Sequence, residues 1–297
     1  MGIPTTRRDF LKVTAITGAA LWLPGFASAQ DAAQPSKRRF LKADKGGLLG
    51  RDEEEIAARL LRYQAAGFDG LEADAPGLNI DAVNAAVKKT GVPVHGVVDN
   101  VHWQKRLSDP DPAVRQEGLQ ALIQAIEECK QIGGTTVLLV PGRVTGPEET
   151  HEDVWKRSIV EIRKALPTAE KNQIKILIEN VWNGFCETPE EYRDYIDEID
   201  SEWVGAYFDI GNVRKFGKPE DWIRILGNRI VKLDVKDWGQ ENSFCKLGEG
   251  DVDWDAVHEA LIEIDYSGWA TREGKEDGSI EETSRLMNEL LNIQQMS

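Results

Sequence analysis

Cysteine, histidine and positive charge are all scarce in this chain, and each shortage closes off a class of function. The three cysteines, Cys129, Cys186 and Cys245, are an odd number spread far apart, with no C-x-x-C pair among them. They suggest neither a disulfide framework nor a thiolate metal site, so buried free thiols are the expectation. Lys and Arg number 36 against 51 Asp and Glu, a formal charge of −15. Such a field is not drawn to polyphosphate backbones, and no nucleic-acid partner is expected. No strand-like stretch leads into a G-x-G-x-x-G turn, which leaves a dinucleotide-binding open sheet without support. No apolar run reaches the roughly 20 residues a bilayer span needs, so no stable membrane span is expected.

What is present begins with Thr6-Arg7-Arg8-Asp9-Phe10-Leu11-Lys12, which resembles the twin-arginine export motif. An apolar stretch from Val13 to Leu23 follows, and Ala27-Ser28-Ala29 supplies the small residues of a signal-peptidase site. Residues 1–29 are therefore expected to be a cleavable export signal, and the protein to be periplasmic. Because that route carries folded proteins, it is compatible with a metal site assembled before export. Losing Arg7, Arg8, Lys12 and Asp9, a net +2, would take the formal charge from −15 to −17. Residues 30–38 read as a polar linker, and residues 39–297 as one catalytic domain.

Through that domain, strand-like and helix-like stretches alternate every 25–35 residues or so, the pattern of βα units in a parallel sheet. Eight strands are expected, near Phe40–Ala43, Gly70–Ala73, Val92–Val98, Thr136–Val140, Ile174–Ile178, Val204–Phe208, Ile230–Val235 and Trp269–Thr271. Helical patterns between them include Glu53–Gln64, Ala113–Gln131, Val154–Leu166 and Ser279–Asn292. Thr188-Pro189-Glu190-Glu191 is an N-cap with Pro in the first turn, and Gly67 and Gly133 fall just past helix ends. Eight consecutive units predict an α/β protein, a single (β/α)8 TIM barrel, which places functional groups at the C-terminal ends of the strands.

Four successive strands deliver a carboxylate there: Glu179 after the fifth, Asp209 after the sixth, Asp234 on the seventh and Glu273 after the eighth. Strand alternation allows all four to point inward. Four acids crowded together repel unless one protonates or a cation neutralises them. A hard divalent ion, Mn²⁺ or Mg²⁺, suits an all-oxygen set. The competing reading for any single acid is an ion pair with Lys232, Lys236 or Arg272. The set in this order favours metal.

The segments Ile178-Glu179-Asn180, Phe208-Asp209-Ile210-Gly211-Asn212 and Leu247-Gly248-Glu249-Gly250-Asp251-Val252-Asp253-Trp254 resemble the xylose isomerase-like TIM barrel family of sugar isomerases and epimerases. The resemblance covers nearly the whole catalytic domain. It implies that Glu179, Asp209, Asp234 and Glu273 ligate a divalent metal. It also implies that Glu179 and Glu273 are the catalytic acid/base pair, moving a proton on either face of a sugar carbon by enediolate chemistry. Two departures stand out. Asp234 replaces the histidine usual on strand seven, which makes the site more oxygen-rich; alternatively Asp234 pairs with a lysine and the metal is weak or lost. Asn212 stands where the epimerases commonly carry a substrate-binding histidine.

Around the mouth, the expected substrate contacts are His95, Asn100, His102, Trp103, Trp182, Asn212 and Lys236. For His95 a satisfied core histidine is an equal reading, and for the loop aromatics ordinary packing is. Glu72 and Arg143 are weaker candidates. The expected partner is a small-molecule carbohydrate, free or oxidised rather than phosphorylated, since no basic cluster marks the strand ends. By analogy with related barrels, a homodimer is also expected. Two readings compete with the isomerase/epimerase: an exported sugar-binding or vestigial barrel without turnover, and a lyase or dehydratase on keto-glycosides using the same site. An abasic-site endonuclease is disfavoured by export, by charge and by having only four histidines.

Overall fold

Runs such as Thr136–Leu139 are too short for helices and buried throughout, as strands covered on both faces must be. The structure, a computed structural model, describes residues 40–47, 49–274 and 278–293. The expected export signal and the whole of the linker lie outside these residues. Eight strands pair in parallel and close into a barrel: β1 (Phe40–Lys45), β2 (Gly70–Ala75), β3 (Val94–Asp99), β4 (Thr136–Leu139), β5 (Lys175–Glu179), β6 (Val204–Asp209), β7 (Ile230–Val235) and β10 (Gly268–Arg272), which returns to β1. Between β7 and β10 an antiparallel hairpin, β8 (Asp237–Gly239) and β9 (Ser243–Cys245), rises from the mouth. The sequence did not signal it.

The helices are α1 (Glu53–Ala65), α2 (Ile80–Thr90), α3 (Pro112–Gln131), α4 (His151–Asn172), α5 (Pro189–Ile199), the short α6 (Ile210–Val213), α7 (Pro219–Leu226), α8 (Trp254–Glu263) and α9 (Ile280–Leu290). All of them but α7 start on a side-chain cap. Asp52 accepts from the backbone N–H groups of Glu54 and Glu55, Thr150 and Asp153 form a reciprocal capping box, and Thr188 accepts from Glu191 N–H. Gly67 and Gly133 take the positive φ that ends α1 and α3. One helix end is a correction. The sequence reading stops the fourth helix at Leu166, before Pro167, yet α4 runs on to Asn172. Ile159, Ile162, Ala165 and Ala169 bury one continuous face of it, and that burial outweighs the hydrogen bond Pro cannot donate.

The main core fills the space between barrel wall and helices. Inside the barrel, Leu138, Leu177 and Tyr207 form a separate apolar plug. Beside it lies a buried polar network. The Tyr207 hydroxyl donates to Glu72 Oε2 at 3.0 Å and lies 2.8 Å from Thr271 Oγ1; Lys232 Nζ meets His95 Nδ1. No helix among the described residues is long and apolar enough to cross a membrane.

Candidate active site

Strand alternation decides what faces the barrel axis. Leu177 and Glu179 share one parity on β5, as do Tyr207 and Asp209 on β6, Lys232, Asp234 and Lys236 on and just after β7, and Thr271 and Glu273 on and after β10. The plug and the polar network are therefore one step down the strands from the acids. One oxygen from each of Glu179, Asp209, Asp234 and Glu273 lies within 4.8 Å of the other three, and the first three side chains are buried.

Two ammonium groups enter the cluster. Lys45, the last residue of β1, places Nζ 2.7 Å from Asp234 Oδ2 and 2.9 Å from Glu273 Oε2. Lys236 Nζ lies 2.9 Å from Asp209 Oδ2, 3.1 Å from Glu273 Oε1 and 3.4 Å from Asn212 Oδ1. This corrects the partners expected from sequence. Of the three cations considered, only Lys236 reaches the acids; Lys232 lies 3.9 Å from Glu72, and Arg272 pairs with Asp44 at 3.7 Å. Asp234 does pair with a lysine, but with Lys45. The sequence reading ends the first strand at Ala43 and so does not reach Lys45; β1 runs two residues further, and alternation puts Lys45 on the inner face.

Burial governs the electrostatics. It pushes the Glu179 carboxyl up to about 8, against the pull of Lys45. It also raises Asp209 and Asp234, each opposed chiefly by its own lysine. Glu273 is the exception: burial would raise it, but Lys45 and Lys236 together hold it well below the usual carboxylate range. Both lysines stay charged, because the surrounding acids outweigh the burial that would discharge them.

The donor set fits a divalent cation. Asp234 Oδ1 is buried without a hydrogen-bond partner, and Asp209 Oδ2, despite its nearness to Lys236, has no aligned donor. Buried carboxylate oxygens left unsatisfied are costly. With all four acids ionised, as ligands would be, the two contacting ammonium groups leave two negative charges, which one divalent ion would neutralise. All the ligand atoms are oxygen, the preference of Mn²⁺ and Mg²⁺.

The other expected contacts divide. Asn212 is spent on pinning the cluster: its N–H donates to Asp209 Oδ1 at 2.8 Å and its Nδ2 to Asn180 O at 2.9 Å. Asn180 reciprocates through Asp209 N–H and Asp209 O, both at 2.9 Å. Trp182 donates Nε1 to Asn212 O and stacks on Phe244 of β9 at 4.6 Å, with Trp238 edge-on at 6.0 Å. The hairpin thus completes an aromatic wall beside Lys236, whose Nζ lies 5.0 Å from the Phe244 ring centre. His102 Nδ1 accepts from Val140 N–H, which leaves Nε2 to carry the ring proton. Burial pulls its pKa down to about 3, so the ring is neutral, and it feels both Lys45 and Glu273. Trp103 packs edge-on to His102 and is partly exposed.

Two residues hydrogen-bond to partners other than the acids. Asn100 Nδ2 donates to Pro76 O, tying its loop to the turn after β2. His95 lies in the lower polar network, stacked 4.2 Å from Trp269 and in contact with Lys232 and Thr271. Those contacts match a satisfied core histidine. Of the weaker candidates, Glu72 belongs to that same network and Arg143 is exposed.

The family model for the xylose isomerase-like TIM barrel matches residues 60–291. An uncharacterised protein of Methanocaldococcus jannaschii is 29% identical over 208 residues, 63% of this chain and 68% of that protein. The L-ribulose-5-phosphate 3-epimerase UlaE of Escherichia coli is 26% identical over 189 residues, 63% of this chain and 66% of the enzyme, so the match spans about two thirds of that relative. Among solved structures, 3-keto-D-glucoside 4-epimerase YcjR from E. coli superposes with a TM-score of 0.71 at 19% identity, covering 86% of this chain and all (100%) of that one. A D-tagatose 3-epimerase-like protein gives 0.72 at 22% identity, covering 85% and 97%. These last two likenesses concern the fold.

Proposed function

Because this chain belongs to the xylose isomerase-like TIM barrel family, we propose that it is a divalent-metal-dependent isomerase or epimerase acting on a sugar or keto-sugar. The observation that carries this reading is the convergence of Glu179, Asp209, Asp234 and Glu273, with one buried carboxylate oxygen, Asp234 Oδ1, that no protein donor satisfies. The names of its relatives and neighbours point the same way, since L-ribulose-5-phosphate 3-epimerase and 3-keto-D-glucoside 4-epimerase both invert a sugar centre.

The four acids would hold the metal. When bound, it would supply Lewis-acid polarisation of a ketone and so acidify the neighbouring C–H. The rest of the chemistry falls to the chain. Glu179 and Glu273 come from strands three places apart around the barrel, so a sugar carbon between them has a carboxylate on each side. One would take the proton on its own face and the other, starting protonated, would give up its proton on the opposite face. Asn180 and Asn212 keep Asp209 from rotating. Neutral His102 offers a ring N–H to a hydroxyl, and the wall of Trp182, Trp238 and Phe244 covers the apolar face of the sugar and excludes water. A lyase on keto-glycosides would use the same enolisation.

Twin-arginine export, a periplasmic location and a homodimer complete the proposal; cell fractionation and gel filtration test them. The main test is elemental analysis of protein purified without chelator, then deuterium wash-in from heavy water with ketoses, L-ribulose 5-phosphate and 3-keto-glucosides. Near-stoichiometric Mn²⁺ or Mg²⁺ with deuterium entering one sugar carbon is the expected result. Absence of both, after Mn²⁺ is supplied, overturns the reading and favours a barrel without turnover.

A further inference from the structure

We propose that Lys45 is the built-in counter-cation of the carboxylate cluster, holding Asp234 and Glu273 when no metal is present and setting how tightly a divalent cation binds. The inference rests on the metal reading above and deepens it. Lys45 comes from β1, which supplies none of the acids, and its ammonium bridges two of them, at 2.7 Å to Asp234 Oδ2 and 2.9 Å to Glu273 Oε2. Asp234 is fully buried and is thereby used asymmetrically: Oδ2 takes the lysine, while Oδ1 has no partner at all. One oxygen is pinned and the other is presented to the cluster.

The lysine itself is boxed in. Its Nζ lies 5.4 Å from the Tyr207 ring centre, and Glu179 and Glu72 add to the field of Asp234 and Glu273 around it. The positive groups facing the same space are Lys236 and, one step lower, Lys232, with His95 and His102 both neutral. Lys236 is committed to Asp209 and Asn212 as well as Glu273, so Lys45 is the cation on the Asp234 side of the cluster. A divalent ion in contact with Asp234 and Glu273 must share them with this ammonium or displace it. Either way, like-charge repulsion weakens metal binding, and the metal-free cluster survives because the lysine stands in.

The test compares wild type with Lys45→Met and Lys45→Arg, reading Mn²⁺ affinity by calorimetry and the melting temperature in chelator. Lys45→Met is expected to tighten Mn²⁺ at least tenfold and to lower the metal-free melting temperature, while Lys45→Arg, which keeps the charge, stays within about threefold of wild type. Should Lys45→Met fail to fold, Lys45→Gln removes the charge while keeping a donor for Oδ2, and the same tightening is expected. Equal Mn²⁺ affinity in the wild type and the neutral variant overturns the role of Lys45 alone. No Mn²⁺ binding by any of the proteins overturns the metal reading and this inference with it.

Discussion

Replacing Glu179 by Gln removes a charge that the metal-free protein scarcely carries near neutral pH. Burial lifts this carboxyl to about 8, against about 4.3 in an unfolded chain. Between those values the folded protein binds a proton that the unfolded chain has released, so this group makes wild-type stability fall as pH rises through the window. At about pH 7 the cost is about 4 kcal/mol, taking roughly 1.4 kcal/mol per pH unit over about 2.7 units. Gln bears no charge in either state and escapes it. Metal-free Glu179→Gln should therefore be more stable than wild type by up to about 4 kcal/mol, or roughly 8–16 °C in Tm. The gain should shrink to nothing as pH falls towards about 4.3. Supplying Mn²⁺ should reverse the order, because an amide is a poorer ligand than the ionised acid it replaces. Glu273→Gln is the contrasting control. Lys45 and Lys236 hold Glu273 ionised, so the same change leaves each ammonium one partner short. It should cost about 1–3 kcal/mol. Melts in chelator and in Mn²⁺ across this pH range read all three effects. A chelated Glu179→Gln that melts at or below wild type near neutrality, or a Glu273→Gln that melts above it, would refute the electrostatic account.

Both substitutions should also slow deuterium wash-in by about 10²–10⁴-fold, the usual worth of a general acid or base; near wild-type exchange by either would end the two-glutamate mechanism. Asp234→His should fold and raise the preference for Zn²⁺ over Mn²⁺ in competition calorimetry, whereas loss of folding would show that Asp234 serves only its pair with Lys45. Glu149 clamps the loops after β3 and β4, accepting from Arg106 at 3.0 Å, Ser108 at 2.5 Å and Thr145 at 2.8 Å. Burial opposes its ionisation, but these donors win and hold it below the usual range. Glu149→Gln should therefore cost about 1.5–3 kcal/mol at neutral pH, with the wild-type advantage complete above about pH 4.3 and lost as pH falls through the depressed folded value. An advantage that persists into strong acid would contradict that. Trp182→Ala should raise KM about tenfold with kcat nearly unchanged, the worth of one aromatic stack; an unchanged KM would mean that the wall does not touch substrate.

The strand count and the level of the acids were legible because both follow from local rules. Buried parallel strands must be short apolar runs, and a period of two fixes which residue of Ile178-Glu179 or Phe208-Asp209 faces inward. A sequence read in this way alone fixes that four carboxylates crowd one end of a barrel and therefore need a cation. It does not fix which cation. Lys45 stands 189 residues from Asp234 and 228 from Glu273, and only closure of β10 onto β1 brings it into the cluster. Closure likewise sends Lys232 down to Glu72 and His95, leaving Lys236 for Asp209. The hairpin that carries Phe244 against Trp182 is too short and polar to show a strand period, and its aromatic has meaning only against a partner from another loop. Alternation along one strand is a property of the chain, whereas pairing across the barrel depends on which strands become neighbours, and that was decided when the sheet closed.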